Sequence, residues 1–275
     1  LKFLRDHIST SINKETTLSS NDTEDIEEIQ QEFSSRPISI STLELYAKCP
    51  FQYLSKKLFG LKETDTFELT MAPNVKGSIL HSTLYHFYKN RYKETINSGN
   101  YDYEINPKYR ELDKIIPISL DANKKETYLK ELLNIAEDLI NQIKFEHPFF
   151  TIDETRILGK DGIPGILEIW LDKEFERTKN WLTKPSLFEF GFGNDKYSVI
   201  KAVDLGSFKL SGKIDRLEFY LEDDKFYFLI ADYKNVIKNE HSNKNILDGI
   251  SFQMPLYIAA AQKLLKEYYD IDAIP

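Results

Sequence analysis

The chain has 275 residues, with 44 acidic against 36 basic side chains and a net charge of −8. That balance argues against a simple basic nucleic-acid-binding module. The single cysteine rules out an internal disulfide framework and points to a reducing, cytoplasmic compartment. No apolar run approaches the ~20 residues a membrane span needs, so no membrane is expected among the partners. At 41% hydrophobic and 13% aromatic the chain can bury a sizeable core. It begins with Leu1, which suggests a piece of a longer protein, and Leu1 to Lys14 mixes charged and apolar residues unlike a signal peptide.

Residues 1–36 hold eight acids and four bases, a net −4, and the other 239 residues carry the remaining −4. Thr17 to Phe33 contains six acids and no base, so 1–36 reads as an acidic linker or the tail of a preceding domain. The folded domain is expected over 37–275, starting near Pro37 and stopping short of its own C-terminal end. Ser41 and Glu44 form a capping-box pattern that predicts a helix start at Ser41. Pro50 interrupts that helix and Gly60 ends its continuation. Val75 to Glu94 reads as a helix with Leu80, Leu84 and Phe87 on one face and His81, Tyr85, Tyr88 and Tyr92 on the next stripe. Residues 97–120 look loop-rich. Helices follow at Tyr128–Phe145 and Gly165–Leu182, although the periodicity gives the region 85–185 no role.

Beyond Pro185 the sequence turns strand-like, in "SLFEFGFG", "YSVIKAV", "GSFKLSGKIDRLEFYLE" and "KFYFLIADYK", with "EDDK" as a hairpin turn. "SFQMPLYIAAAQKLLKEYY" returns to helix, with Ser251 as the expected N-cap and Pro255 in the first turn. "DIDAIP" looks like the approach to another strand. The layout is α/β: helices, then a compact sheet, then a helix.

The hairpin places Asp215 early in one strand and Asp232 late in the next, so antiparallel pairing brings them together at its open end. Two neighbouring carboxylates repel unless a proton or cation is shared, and a hard divalent cation is the usual remedy. Lys234 alternates with Asp232 at period two and so shares its face. An ammonium there can orient water and stabilise developing phosphate charge. A D-x-K alone is more often an ordinary surface ion pair.

Other segments supply the company that this pair needs. "GKIDR" followed by "DYK" resembles the core of the PD-(D/E)XK nuclease superfamily. "SISTLELYAKCPFQY" (Ser39 to Tyr53), "GSILH" (Gly77 to His81) and "QMPLY" (Gln253 to Tyr257) resemble, in the right order, motifs of its RecB-like branch, which includes the nuclease domains of RecB and AddB. The resemblance covers residues 39–257. It implies a restriction-endonuclease-like core: a mixed central β-sheet flanked by helices, here with a large helical N-terminal half. It implies metal ligation by His81, Asp215, Asp232 and the Tyr233 backbone carbonyl, with Mg²⁺ or Mn²⁺ as the cation. Glu189, in "LFEFGFG", supports the metal site in many members and is otherwise an outward-facing strand glutamate. Lys234 would position or activate the attacking water. Gln253 and Tyr257, on one helix face, would steady Lys234 or contact DNA.

The implied activity is metal-dependent, exonuclease-like hydrolysis of DNA phosphodiester bonds, as part of a repair and recombination helicase–nuclease. The implied partners are DNA and a helicase region in the same protein or in a partner subunit. The other reading is a non-catalytic DNA-binding or assembly domain that kept the fold. A third is a metal-dependent hydrolase with another substrate. In AddB-like members the cysteine of "CPF" can be the first of four ligands to an iron–sulfur cluster, while other members of the branch keep the segment without one. Cys49 alone cannot hold one within this chain, so a buried thiol is expected there and the cluster stays open for the full-length protein. Lys209, Lys213, Arg216, Lys234, Lys238 and Lys244 form a local basic cluster interleaved with acids.

Overall fold

The computed structural model describes residues 36–61, 71–144, 151–193, 199–206, 208–234 and 251–275. The acidic segment 1–35, Lys238 and Lys244 lie outside the described residues. A two-residue strand, β1 (Ile38–Ser39), leads directly into helix α1 (Ile40–Lys48). The helix starts earlier than the capping-box pattern predicts. Ser39, extended at φ −80° and ψ 150°, is the N-cap, and its Oγ accepts from the Thr42 N–H at 3.3 Å. An extended residue with a side-chain acceptor is what an N-cap requires, and strand pairing has already set Ser39 in that conformation. Cys49 breaks the helix and Pro50 restarts it as α2 (Pro50–Tyr53), with a π-turn over Leu54–Leu58. The thiol of Cys49 belongs to a partly exposed residue, not the buried one expected.

Helix α3 (Pro73–Ser98) carries the G-x-x-x-H segment and is longer at both ends than the periodicity indicates. Pro73 opens it, where no N–H is needed, and Gly99 closes it at φ +63°. Its buried residues include Leu80, Leu84, Phe87, Tyr88 and Tyr92. The loop-rich stretch after it contains one bridge, Ile105 to Ile115, but is not all surface: Ile115 and Ile116 are fully buried. Helix α4 (Lys125–Lys144) buries Tyr128, Leu132, Ala136 and Ile140, an i, i+4 stripe. A short helix that the sequence did not signal, α5 (Thr151–Leu158), passes through the small hairpin β2 (Gly159–Lys160) and β3 (Ile163–Pro164) into α6 (Ile166–Asn180). Gly165 is required at that junction, because a Cβ there would lie 2.4 Å from the Ile157 carbonyl oxygen.

Among the described residues, five strands then form a mixed sheet about one long strand. They are β1, β4 (Lys184–Phe192), β5 (Val203–Asp204), β6 (Lys209–Glu222) and β7 (Lys225–Ala231). On one side β6 pairs antiparallel with β4 and then β5, and on the other antiparallel with β7 and parallel with β1. Of the strand expected in "YSVIKAV", Val203 alone among the described residues joins the sheet, in β5 with Asp204. Asp223 and Asp224, at φ +48° and +59°, make a two-residue turn between β6 and β7, the twist-matched solution for a tight hairpin. Helix α7 (Gln253–Tyr269) follows, and Ile274 bridges in parallel to Tyr227 at the outer edge of β7.

Two hydrophobic clusters flank the sheet. One joins α7 residues such as Ala260, Leu264 and Leu265 to Leu187, Phe190, Ile214 and Leu217. The other joins α3, α4 and α6 to Phe188. The long helical region 85–185 thus supplies one of the two layers that cover the sheet.

Candidate active site

The central strands break their own alternation at one level. Phe188 stacks on Tyr88 of α3 with ring centroids 4.5 Å apart, while its neighbour Glu189 reaches His81, also of α3. Across the ladder, Asp215 reaches His81 and its neighbour Arg216 reaches Tyr88. Two consecutive residues on each strand therefore face α3. The residues just outside them, Leu187, Phe190, Ile214 and Leu217, pack into the opposite cluster. The backbone feature that accompanies the break is Glu189 itself, at φ +50° in mid-strand. A left-handed glutamate there is strained, and such strain collects at functional sites. Glu189 stands opposite Asp215, in a register unbroken from Leu187↔Leu217 to Phe192↔Gly212.

This break brings His81, Glu189 and Asp215 together. One ligand atom from each lies within 4.8 Å of the others. His81 Nδ1 is 3.3 Å from Asp215 Oδ1 and 3.9 Å from Glu189 Oε1, while Nε2 is 3.0 Å from the Tyr233 carbonyl oxygen. Both ring nitrogens thus face acceptors, which suits the doubly protonated ring. The hydrogen bond with Asp215 raises the His81 pKa above its ordinary value, against the opposing effect of burial. The Asp215 side chain is 7% exposed, and its Oδ2 accepts the Tyr233 N–H at 2.8 Å. Tyr233 therefore holds Asp215 through its N–H and His81 through its carbonyl.

β7 ends at Ala231, one residue before the D-x-K segment, so Asp232, Tyr233 and Lys234 lie just beyond the paired strand. β6 pairs with β7 as far as Arg216 and with β1 from Ser211, and Asp232 to Lys234 follow where β7 leaves that edge. Asp232 is held from two directions. Lys234 Nζ is 2.6 Å from its Oδ2, and Gln253 Nε2 donates to its Oδ1 at 2.8 Å. Burial raises the Asp232 pKa, Lys234 opposes that, and the charge of Asp215 adds to the rise. Asp232 therefore lies within electrostatic reach of Asp215, although it stands outside the three-residue cluster. Tyr257 of α7 hydrogen-bonds to β6. Its hydroxyl donates to the Lys213 carbonyl at 2.8 Å, and burial pushes its pKa up to about 12.

Helix α7, which presents Gln253, is anchored from a distance. Its N-cap position is Phe252, not Ser251, and offers no side-chain cap. Glu44 of α1 supplies one instead: its Oε1 accepts from the N–H groups of Phe252 and Gln253 at 3.0 and 3.1 Å. A carboxylate at a helix N-terminus satisfies orphan donors and meets the positive end of the helix dipole. The Glu44 of the apparent local capping box thus caps a helix more than 200 residues later.

Behind the cluster lies a buried charge network that the sequence did not signal. Arg216, 4% exposed, sits 3.3 Å from Glu174 Oε1 and 2.8 Å from Glu218 Oε1, so it is not part of a surface basic cluster. Arg177 lies 2.6 Å from Glu174 Oε1 and 2.7 Å from Glu218 Oε2. Tyr88 donates to Glu174 at 2.7 Å and accepts from Arg216 at 3.0 Å. Two arginines and two glutamates leave no net charge to bury. Burial pushes the Glu174 pKa up, but Arg216 and Arg177 outweigh it and hold it below its ordinary value. The Arg216 guanidinium also lies 5.5 Å from the Tyr233 ring centroid, over the residue that holds Asp215 and His81.

Two carboxylates and an imidazole make a donor set that fits a divalent cation of hard or borderline character, and the Tyr233 carbonyl stands at the other ring nitrogen. A cleft of about 320 Å³ opens beside it, between α3 and the strands. A wider hollow of about 430 Å³ near the hairpin turn is lined by Trp181, Leu182, Tyr220 and Tyr227 and, among the described residues, holds no comparable cluster.

Known proteins share this sequence pattern. The chain is 29% identical over 241 residues to an ATP-dependent helicase/deoxyribonuclease subunit of Clostridium botulinum (strain Loch Maree), covering 86% of this chain and 19% of that protein. Identity to the subunit of the same name from Clostridium perfringens (strain SM101) is 32% over 241 residues, again 86% of this chain, and 18% of that protein. With that of Clostridioides difficile (strain 630) it is 26% over 287 residues, 96% of this chain and 21% of that protein. The chain spans about a fifth of the length of these relatives. Residues 37–273 match the PD-(D/E)XK nuclease superfamily, and the chain belongs to that family.

Proposed function

We propose that this chain is the nuclease domain of a DNA repair and recombination helicase–nuclease, and that it hydrolyses DNA phosphodiester bonds in an exonuclease-like manner with Mg²⁺ or Mn²⁺. The observation that carries this reading is the convergence of His81, Glu189 and Asp215 beside the Asp232–Tyr233–Lys234 segment. His81, Glu189 and Asp215 form the centre of the ligand set, bordered by the Tyr233 carbonyl and Asp232. When bound there, a divalent cation lowers the pKa of water and screens the charge of the scissile phosphate. Lys234 orients the attacking water, and Asp232 with Gln253 sets the position of its ammonium. Tyr257 steadies the strand that carries Asp215 through the Lys213 carbonyl. Within the full-length protein or complex, a helicase region would deliver the strand.

The test is cleavage of end-labelled single- and double-stranded DNA, with and without free ends, in Mn²⁺. Wild-type chain should degrade DNA that has ends and stop when the ion is chelated. Lys234→Ala should slow cleavage about 10²–10³-fold while calorimetry shows metal binding retained. Wild-type chain without metal-dependent cleavage would favour a non-catalytic domain with the same fold.

A further inference from the structure

The cleft beside the carboxylates has a second set of residues that the hydrolytic reading leaves unused. Asn74, Ser78 and Ser82 lie at i, i+4 and i+8 on α3, so one polar stripe of that helix lines the cleft beside His81. The facing wall is Lys213 of β6, with Glu189 of β4 between it and His81. Lys213 precedes Asp215 by two positions and projects to the same side of the sheet, and its side chain is 57% exposed. Opposite it on β4 stands Gly191, which puts no side chain between the ammonium and the cleft. Lys213 is engaged by Glu189, a member of the cation cluster. Glu189 turns Oε1 toward His81 and Oε2 toward Lys213, so the cation cluster and the ammonium meet on this one carboxylate.

We infer that this cleft is a phosphate subsite: Lys213, with the Ser82 hydroxyl and the Asn74 carboxamide, takes the backbone phosphate next to the one being cut. The inference rests on the nuclease reading and adds to it the group that holds the neighbouring nucleotide. Two residues of strand separate Lys213 from Asp215 by about 6.6 Å, a distance comparable with the spacing of adjacent phosphates along a nucleic-acid strand. The chain carries a net −8, so anion contacts close to the acidic centre matter more here than in a basic protein. Because Lys213 exchanges Glu189 for phosphate, cation and DNA bind with mutual assistance. Without the cation, the ammonium remains on the carboxylate.

The experiment measures binding of a short single-stranded DNA to this chain over a series of salt concentrations, in Ca²⁺ and in chelator. Calorimetry of Ca²⁺ alone is run beside it. Each phosphate neutralised on a single strand contributes about −0.7 to the slope of log affinity against log salt. Lys213→Gln should flatten that slope by about 0.7 and weaken binding in Ca²⁺ about tenfold, without lowering Ca²⁺ affinity. Lys213→Arg should restore the slope, and Ser82→Ala should weaken binding while leaving the slope in place. Lys213 is exposed, so circular dichroism of the variant should match that of the wild type. An unchanged slope and affinity in Lys213→Gln, in a chain whose wild type binds and cleaves DNA, would overturn the subsite alone. A wild type that neither binds nor cleaves DNA would overturn the nuclease reading and the subsite with it.

Discussion

Glu189, at φ +50° in mid-strand, stands where two paired strands depart from alternation together. In an ordinary strand it would point away from Phe188, and Asp215 away from Arg216. With Glu189 at φ +50°, both members of each pair face α3, one contributing to packing and the other to the cation cluster. The spacing of "GKIDR" and "DYK" singles out Asp215, Asp232 and Lys234. It leaves Glu189 undecided, because alternation cannot reveal where alternation fails. Arg216, counted from sequence in the local basic cluster, is buried beside Glu174 at the same break. Across the cluster, His81 carries a testable pH dependence. The His81 pKa is raised above 6.5, so its proton supports the metal-free fold fully below 6.5, and that support is lost as pH rises through the folded value. The cation needs the same carboxylates and a neutral ring, so its affinity should rise about tenfold per pH unit below the folded pKa and level off above it. Calorimetry in buffers of different ionisation enthalpy should show about one proton released on Mn²⁺ binding at the lower pH and none at the higher. Affinity independent of pH would remove His81 from the site's proton balance.

Among the elements, α6 and α7 hold the site from behind and from the side. The strands and the long helices were legible, since their periods of two and 3.6 survive in the sequence. The contacts that orient them were not. Glu44 reads as a local capping partner and instead caps α7, a choice made only when β1 pairs with β6 and brings α1 beside Phe252. Glu174 reads as one more charge on an amphipathic helix, yet it is 4% exposed between two arginines. Removing one member of such a group leaves its partners buried and unpaired, so Glu174→Ala should destabilise the chain by about 3–5 kcal/mol, measured by urea unfolding at neutral pH. The folded-state pKa of Glu174 is depressed below 4.5, so its contribution is present above 4.5 and is lost as pH falls through the folded value. The difference between wild type and Glu174→Gln should therefore narrow in acid. A loss below about 1 kcal/mol in Glu174→Ala would mean that the network is no stronger than a surface ion pair.

At the scale of the whole molecule, two hydrophobic layers enclose one sheet, and its central strand carries Asp215 on the side facing α3. The α/β class and the expected mixed sheet follow from the order of helical and strand-like segments, and the structure has both. What the order could not convey is where β7 leaves β6. Asp232, Tyr233 and Lys234 follow the end of that pairing and lie beside the cluster. The central claim is that this arrangement gathers a divalent cation at one place in an otherwise acidic molecule. Crystals of this chain soaked in Mn²⁺ test it most directly, through the anomalous scattering of the ion. The account predicts one strong peak among His81, Glu189 and Asp215, with ligand distances of about 2.0–2.4 Å, and its loss in Asp215→Asn. No peak there, or a peak unaffected by Asp215→Asn, would contradict it.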